Sequence, residues 1–236
     1  MKKLSVVCVF VLALCLLFAG CGEKEEKKPF FEQHNLLPNA EVDGGVYELK
    51  NGLRYHHKDG SGYQRVPGEW EVKMVSNTDK GDGTKELVFE AYCYFKNENR
   101  PQNGTKSYGC SSDLYDYYTG TYLPAKSTQG NTTDEQNTYS HSFEADGKKT
   151  ELTYSFSTQW DNGDESCHRR LIKRYTVRCP KDYDGLVFCV HQPAKTYEES
   201  QKDKEEDEGV EKPITILEHK YREADNPDNT LRFRIK

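Results

Sequence analysis

Short runs in which apolar and polar residues alternate recur along most of this chain, and Gly, Asn and Asp separate them. Alternation with a period of two predicts strands with one buried face, because successive side chains of a strand point to opposite sides. The clearest run covers residues 149–160. Together with residues 139–145 and the turn residues Asp146 and Gly147, it predicts a β-hairpin.

The same pattern predicts strands elsewhere. Asn51 and Gly52 separate residues 46–49 from 53–55 and predict a second hairpin, because Asn-Gly tolerates the positive φ angles of a type I′ turn. A third hairpin is predicted where a polar loop joins the strand around Trp70 to a long strand at 87–95. No stretch after the N-terminal apolar run keeps a helical period, so we expect an all-β, antiparallel fold. The remaining predicted strands lie at 114–119, 122–124, 170–179, 185–191, 214–217 and 231–235.

The strand pattern over residues 40–192 resembles that of the small immunoglobulin-like domains found on bacterial surface lipoproteins. The resemblance implies a β-sandwich that binds its partners through loops. The sequence departs from true immunoglobulin domains at Trp160, because this residue does not lie between two suitably spaced cysteines.

The N-terminus carries the features of an export signal. Lys2 and Lys3 precede an apolar run at 4–19, and two small residues then precede Cys21. The stretch at 16–21 resembles the lipobox of bacterial lipoproteins, although Phe18 stands where leucine is usual. The resemblance implies that Cys21 is acylated and becomes the first residue of the mature protein. Two alternatives remain: a transmembrane anchor, since the 17 residues at 4–20 are at the lower limit for a span, and secretion after cleavage without a lipid.

Changes in composition divide the chain into five segments. We predict a signal peptide (1–20), a charged tether (21–29), a β-sandwich domain (30–193), an acidic linker or loop (194–212) and closing strands of the same domain (213–236). The predicted location is the cell membrane, with the protein anchored by lipid and facing the extracytoplasmic side.

The charge of the chain excludes some partners. The formal net charge is −6, and removal of Lys2 and Lys3 with the signal makes it −8. Nucleic-acid binding needs a clustered basic face, so we expect no nucleic-acid partner. An acidic domain also gains nothing from anionic lipid headgroups, so the lipid on Cys21 would hold the protein at the membrane.

Five cysteines remain once Cys8, Cys15 and Cys21 are set aside, and an odd number leaves at least one thiol without an intramolecular partner. Cys93 and Cys179 continue the more apolar faces of their strands, which predicts that both are buried. They are expected to be bridged to each other or to Cys189, or to be unpaired core thiols. Cys110 and Cys167 lie beside loops and are expected to be accessible.

Catalytic motifs are not recognisable. The chain has no HExxH, GxSxG or CxxC sequence, so we predict no catalytic residue, no metal site and no cofactor. Cys189 and His191 share one strand face. Asp113 and Asp116 could form a carboxylate pair but fall on opposite faces of a strand.

The most unusual segment is rich in tyrosine, whose ring and hydroxyl suit contacts with sugars or proteins. An alternative is that these tyrosines only cover a sheet face. We expect a non-catalytic surface lipoprotein that binds an unknown protein, peptide or glycan, the alternative being an exported hydrolase with an unrecognised active site. The candidate binding residues are Tyr108, Tyr115, Tyr117, Tyr118 and Tyr122.

Overall fold

The structure is a computed structural model that describes residues 28–57, 59, 63–99, 105–123, 138–145, 148–191, 215–217 and 229–236. The predicted signal peptide, Cys21 and the acidic linker lie outside these residues. The elements are α1 (Phe30–Gln33), β1 (Tyr47–His57), β2 (Tyr63–Asp79), β3 (Thr84–Lys96), a 3-10 helix (Asn97–Asn99), β4 (Thr105–Gly109), β5 (Ser111–Asp116), β6 (Tyr122–Leu123), β7 (Tyr139–Ala145), β8 (Lys148–Asn162), β9 (Cys167–Pro180), β10 (Leu186–His191) and β11 (Thr230–Ile235).

The strands form two antiparallel sheets. The larger has seven strands in the order β4-β1-β2-β3-β9-β8-β7, and the smaller has four in the order β11-β10-β5-β6. The prediction of an all-β, antiparallel fold is confirmed. Among the described residues, no helix is both long and apolar enough to cross a membrane.

The two sheets share one hydrophobic core. Phe188 of β10 lies at its centre, with its ring 6.2 Å from that of Trp70, 6.1 Å from that of Phe89 and 5.7 Å from that of Tyr175. These partners come from three neighbouring strands of the seven-stranded sheet. Aromatic rings dominate this core because each buries a large apolar area and packs edge-on or offset against the next.

The four-stranded sheet is also covered on its other face. Phe31 of α1, Leu36 and Ile216 pack there against Tyr115 and Cys189 in a second, smaller cluster. Strand β10 is therefore buried on both faces, which explains why every one of its six residues is buried. The strand predicted at 185–191 is confirmed, and it is an inner strand because β10 pairs with β5 on one side and with β11 on the other.

The predicted hairpins have different outcomes. Strands β7 and β8 pair as expected, and so do β2 and β3. The hairpin predicted at Asn51 and Gly52 is wrong: β1 runs through both residues, and the pairing register shifts between Leu49 and Leu53 instead. The reason is close packing of two strands, because a Cβ atom added to Gly52 would lie 3.3 Å from the Cα atom of Gly68. Gly52 therefore permits an irregularity in one strand rather than a turn between two.

Candidate functional site

From Tyr115 onward, the tyrosine-rich segment runs from β5, an inner strand of the four-stranded sheet, to β6 at its edge. Tyr115 and Tyr117 are 0% and 3% exposed, and the Tyr117 ring stacks on Phe31 at 5.4 Å. Tyr118 and Tyr122 are half-buried, and the side chain of Tyr108 lies outside the described residues. Two of the five candidates therefore pack beneath the N-terminal segment. The binding role of the group stays a prediction.

Contacts within the chain also engage the half-buried end of this segment. The guanidinium of Arg234 lies 3.8 Å from the centre of the Tyr117 ring and forms an ion pair of 3.1 Å with Asp184. The Tyr118 hydroxyl donates a hydrogen bond to the same carboxylate. Burial and this hydrogen bond raise the pKa of Tyr118 to about 12. The stacked cation covers one ring face that a sugar would need.

A second group of polar residues lies on the covered face of the four-stranded sheet. Asp113 is opposite Cys189 in the β5–β10 register, and its carboxylate lies 3.8 Å from Nε2 of His191. Cys189 is 0% exposed and His191 is 2% exposed. Burial raises the pKa of the Cys189 thiol, so this sulfur stays protonated and is a poor nucleophile. The predicted placement of Cys189 and His191 on one face is confirmed.

Asp116 does not join this group. It is buried at the end of β5, where it accepts hydrogen bonds from the Thr119 hydroxyl at 2.7 Å and from the Tyr183 hydroxyl at 2.7 Å. Burial outweighs these hydrogen bonds and raises the pKa of Asp116. Its role is to hold the turn that leads into β6.

The structure does not contain the predicted disulfide. Cys93 and Cys179 are buried, as predicted, but all five cysteines of the described residues are free thiols. In the β3–β9 register Cys93 faces Leu171 whereas Cys179 faces Lys85, eight residues further along β3. At about 3.3 Å per residue the two are about 26 Å apart, far beyond the reach of a bridge. Cys189 points into the second cluster, on the opposite side of the four-stranded sheet.

The expected accessibility of the other two thiols needs a correction as well. Cys110 is half-buried, but Cys167 is buried because β9 begins at this residue and carries it into the sheet. Its thiol donates a hydrogen bond of 3.0 Å to the carbonyl oxygen of Arg169. Within the described part of the chain, no group of three or more His, Cys, Asp or Glu side chains is arranged to hold a metal ion.

Strand β8 presents a feature of another kind, an open strand edge. It pairs with β9 along residues 153–162, whereas β7 pairs with it only from Lys148 to Tyr154. Within the described residues, nothing pairs with the β7 side of residues 155–162. We call residues 155–162 the open edge. Its length is about 26 Å, and about half of its backbone N–H and C=O groups point to the unpaired side.

Aromatic side chains line the core-facing side of the open edge. Phe156 stacks on Tyr175 at 5.7 Å and on Tyr139 at 6.3 Å. Trp160 contacts Phe95 at 5.2 Å, and the Arg169 guanidinium lies 4.2 Å from the centre of its ring. Phe156 and Trp160 are half-buried, and Thr158 between them is exposed. The side chains are thus fixed by packing while part of their surface remains open.

The other side of the open edge is polar and uncharged up to its end. Ser155, Ser157 and Gln159 lie there, followed by Asp161. The Asp161 carboxylate accepts hydrogen bonds from Nε of Arg170 at 3.2 Å and from Nη2 at 2.5 Å, and this pairing holds the pKa of Arg170 above its usual range. The open edge therefore carries no lysine or proline, the residues that usually protect edge strands.

Sequence reasoning missed this edge although the sequence contains a signal for it. The two predicted arms of the hairpin, 139–145 and 149–160, are unequal in length. A seven-residue strand cannot pair along the whole of a fifteen-residue one, so part of the longer strand must find another partner or remain open. Comparison of the chain with protein-family models, with curated proteins and with solved structures gives no match.

Proposed function

We propose that this protein is a non-catalytic, membrane-anchored lipoprotein that binds an extended peptide segment of a partner protein by strand addition to β8. The observation that carries the proposal is the open edge, an eight-residue strand segment with pairing on one side only among the described residues. The proposed binding surface is thus a strand edge rather than the loops expected from the immunoglobulin-like resemblance.

The chemistry of the open edge suits an extended peptide. An added strand would satisfy the outward-pointing backbone groups, and main-chain hydrogen bonds of this kind supply affinity without selecting a sequence. Selectivity would come from alternate side chains of the peptide, which would meet Phe156 and Trp160 on one face and Ser157 on the other. A peptide with apolar residues at every second position fits this pattern best.

A glycan is a weaker candidate for the partner. Stacking of a sugar needs an uncovered aromatic ring, and cations lie over the rings of Tyr117 and Tyr92. Arg234 covers Tyr117, while the Lys73 ammonium and the Arg170 guanidinium lie 5.3 Å and 5.5 Å from the ring of Tyr92 on the outer face of the seven-stranded sheet. These cations satisfy the rings within the chain, so we favour a protein partner.

The anchoring part of the proposal rests on the sequence at Cys21. Acylation there, followed by the charged tether at 21–29, would hold the domain on the extracytoplasmic side of the cell membrane. Two sheets that share one core support an immunoglobulin-like sandwich for this domain. Labelled palmitate should enter the wild-type chain and not Cys21→Ser; equal labelling of both would contradict lipid attachment at this residue.

The alternative, an exported hydrolase, has one group of residues in its favour: Cys189, His191 and Asp113. A hydrolytic nucleophile must meet substrate, however, and burial between two layers keeps the Cys189 sulfur from solvent. Hydrolysis of a peptide or ester substrate that is lost in Cys189→Ala, with the fold retained, would favour the hydrolase over the binding protein.

The binding proposal is tested with a display library of ten-residue peptides selected on the wild-type chain. Peptides that bind should lose at least about tenfold in affinity on Thr158→Lys, because a charge on the edge opposes strand pairing. They should retain affinity on Thr153→Lys, a matched change in the part of β8 that is paired on both sides. N-methylation of those alternate peptide residues whose amides point toward β8 should abolish binding. N-methylation of the other alternate residues, whose amides point away from β8, should leave binding unchanged. A selection whose binders are all insensitive to Thr158→Lys and to N-methylation overturns the proposal.

A further inference from the structure

Two cysteine thiols from different parts of the fold meet inside the protein. Cys93 lies in the middle of β3, and Cys110 lies in the connection between β4 of the seven-stranded sheet and β5 of the four-stranded sheet. The two thiols lie close enough that each shifts the pKa of the other. Cys93 belongs to the shared core, and Cys110 packs against that core.

The strand register explains this meeting independently. Lys173 of β9 faces Ala91 of β3, and its ammonium donates a hydrogen bond of 2.8 Å to the Ser112 hydroxyl. Cys93 is two residues from Ala91, and Cys110 is two residues from Ser112. Two residues in the other direction, Phe89 packs at 6.1 Å against Phe188, which is the β10 partner of Leu114. Because residues two apart share a strand face, these two contacts together place Cys93 and Cys110 on facing surfaces one step along.

Two of the other cysteines are out of reach, and the third, Cys167, which lies near enough to raise the pKa of Cys93, has another partner. Cys179 lies about 26 Å away along the sheet, and Cys189 faces the second cluster. Cys167 is engaged by the carbonyl oxygen of Arg169. One pair and three single thiols fit the odd number of cysteines in the domain.

We propose that Cys93 and Cys110 form a disulfide that links the two sheets, and that they acquire it by exchange with a small or protein disulfide. In the first step the Cys110 thiolate attacks one sulfur of the oxidant and releases the other as a thiolate. In the second step the Cys93 sulfur attacks the Cys110 sulfur of the mixed disulfide, forms the Cys93–Cys110 bond and releases the second oxidant thiolate. Two protein thiols are oxidised, the oxidant disulfide is reduced to two thiols, and the two protons leave with those thiols.

The surroundings assign the two roles. The Cys93 thiol and the nearby Lys173 ammonium lower the pKa of Cys110, so its sulfur is the attacking thiolate. Burial and the neighbouring thiolate raise the pKa of Cys93. Cys110 is also the more exposed of the two, so an oxidant reaches it first. Such a bridge persists outside the cytoplasm, where the export signal would send the protein.

The experiment uses the full chain, produced in an oxidising compartment, alkylated without reduction and digested with trypsin. Cleavage at lysines places Cys93 in residues 86–96 and Cys110 in residues 107–126. Mass spectrometry should detect these two peptides joined, and reduction should separate them. The chain reduced and then equilibrated with glutathione disulfide should lose two alkylatable thiols and give the same joined peptides.

Two variants test the proposal through the covalent products that they form rather than through their folding stability. Cys93→Ser removes the resolving thiol, so Cys110 should accumulate as a mixed disulfide with glutathione. The matched control Cys179→Ser should still form the joined peptides. Separate, fully alkylated peptides from the wild-type chain under both conditions would overturn the proposal, and so would a link from Cys93 to Cys167 or to another cysteine.

Discussion

The two halves of β8 differ in charge, although each lacks a partner along part of one side among the described residues. Residues 148–154, the paired half, pair with β7, and only Thr153 and Tyr154 of them also pair with β9. The part of this half without a β9 partner, residues 148–152, contains two lysines and a glutamate. Residues 155–162, the open half, pair with β9 alone, and their one charged residue is Asp161, which is bound by Arg170. Proteins usually place charges on the strand segment that lacks a partner, because a bare edge recruits other strands. The paired half follows this rule and residues 155–160 do not, which indicates that the open half is kept ready for a partner strand.

The largest expected difference between the halves is in folding stability. Leu152 is completely buried in the paired half, so Leu152→Ala should lower the free energy of unfolding by about 2–5 kcal/mol through lost burial and a cavity. Thr158→Ala in the open half should change it by less than about 0.5 kcal/mol, because the side chain is exposed. Urea denaturation measures both. Equal losses would show that the open half is packed as tightly as the paired half.

The next effect concerns binding rather than stability. Thr158→Lys should weaken a strand-adding peptide by at least about tenfold, or about 1.4 kcal/mol, and leave the unfolding free energy within about 0.5 kcal/mol. Titration calorimetry and urea denaturation together separate the two quantities. A peptide affinity unchanged by this lysine would place the binding surface elsewhere on the domain.

A smaller effect is expected from the residue that covers Trp160. Arg169→Ala removes a cation from the face of the Trp160 ring and should lower the free energy of unfolding by about 0.5–1 kcal/mol. It should also increase quenching of tryptophan fluorescence by acrylamide, since Trp70, the only other tryptophan, is fully buried. Trp160→Phe is the control, because it removes the fluorophore that is quenched. Quenching that is identical in the wild type and Arg169→Ala would contradict this packing.

The smallest effect is a pH dependence restricted to the paired half. His141 of β7 faces Leu152, and burial lowers its pKa from the ordinary value of 6.5. As the pH falls below 6.5 the unfolded chain takes up the proton first, so stability that is present above 6.5 is lost on acidification. His141→Gln should flatten this part of the pH profile of thermal unfolding, whereas Thr158→Gln should not. An unchanged slope in His141→Gln would show that another group titrates.

The sequence predicted the strands well where alternation and turn residues agree. The run at 139–160 and the apolar strand at 185–191 are both in the structure, because period-two patterning follows directly from burial of one strand face. It failed at Asn51 and Gly52, where the approach of Gly68 from a neighbouring strand decides the local conformation. No local pattern contains that information.

The candidate sites were harder to predict for the same reason. The sequence alone suggests that Tyr115 and Tyr117 form a binding surface, because it does not show that Phe31 packs over their sheet. The nearness of Cys93 and Cys110 depends on the crossing between the two sheets, and that crossing leaves no mark on residue spacing. The open edge could be predicted in part. The unequal lengths of the two hairpin arms indicate that an unpaired segment exists, but only the strand order in the structure shows which side of β8 it lies on.

Residue-resolved amide hydrogen exchange tests the central claim most directly. In the free chain, the amides of Thr153 and Tyr154, which are paired on both sides, should exchange slowly. About every second amide at 155–162 should exchange fast because it points to the open side. Addition of a selected peptide should slow those fast amides and leave Thr153 and Tyr154 unchanged. Uniform slow exchange across 155–162 in the free chain would contradict the account, because it would mean that the edge is already paired, for example by residues 124–137.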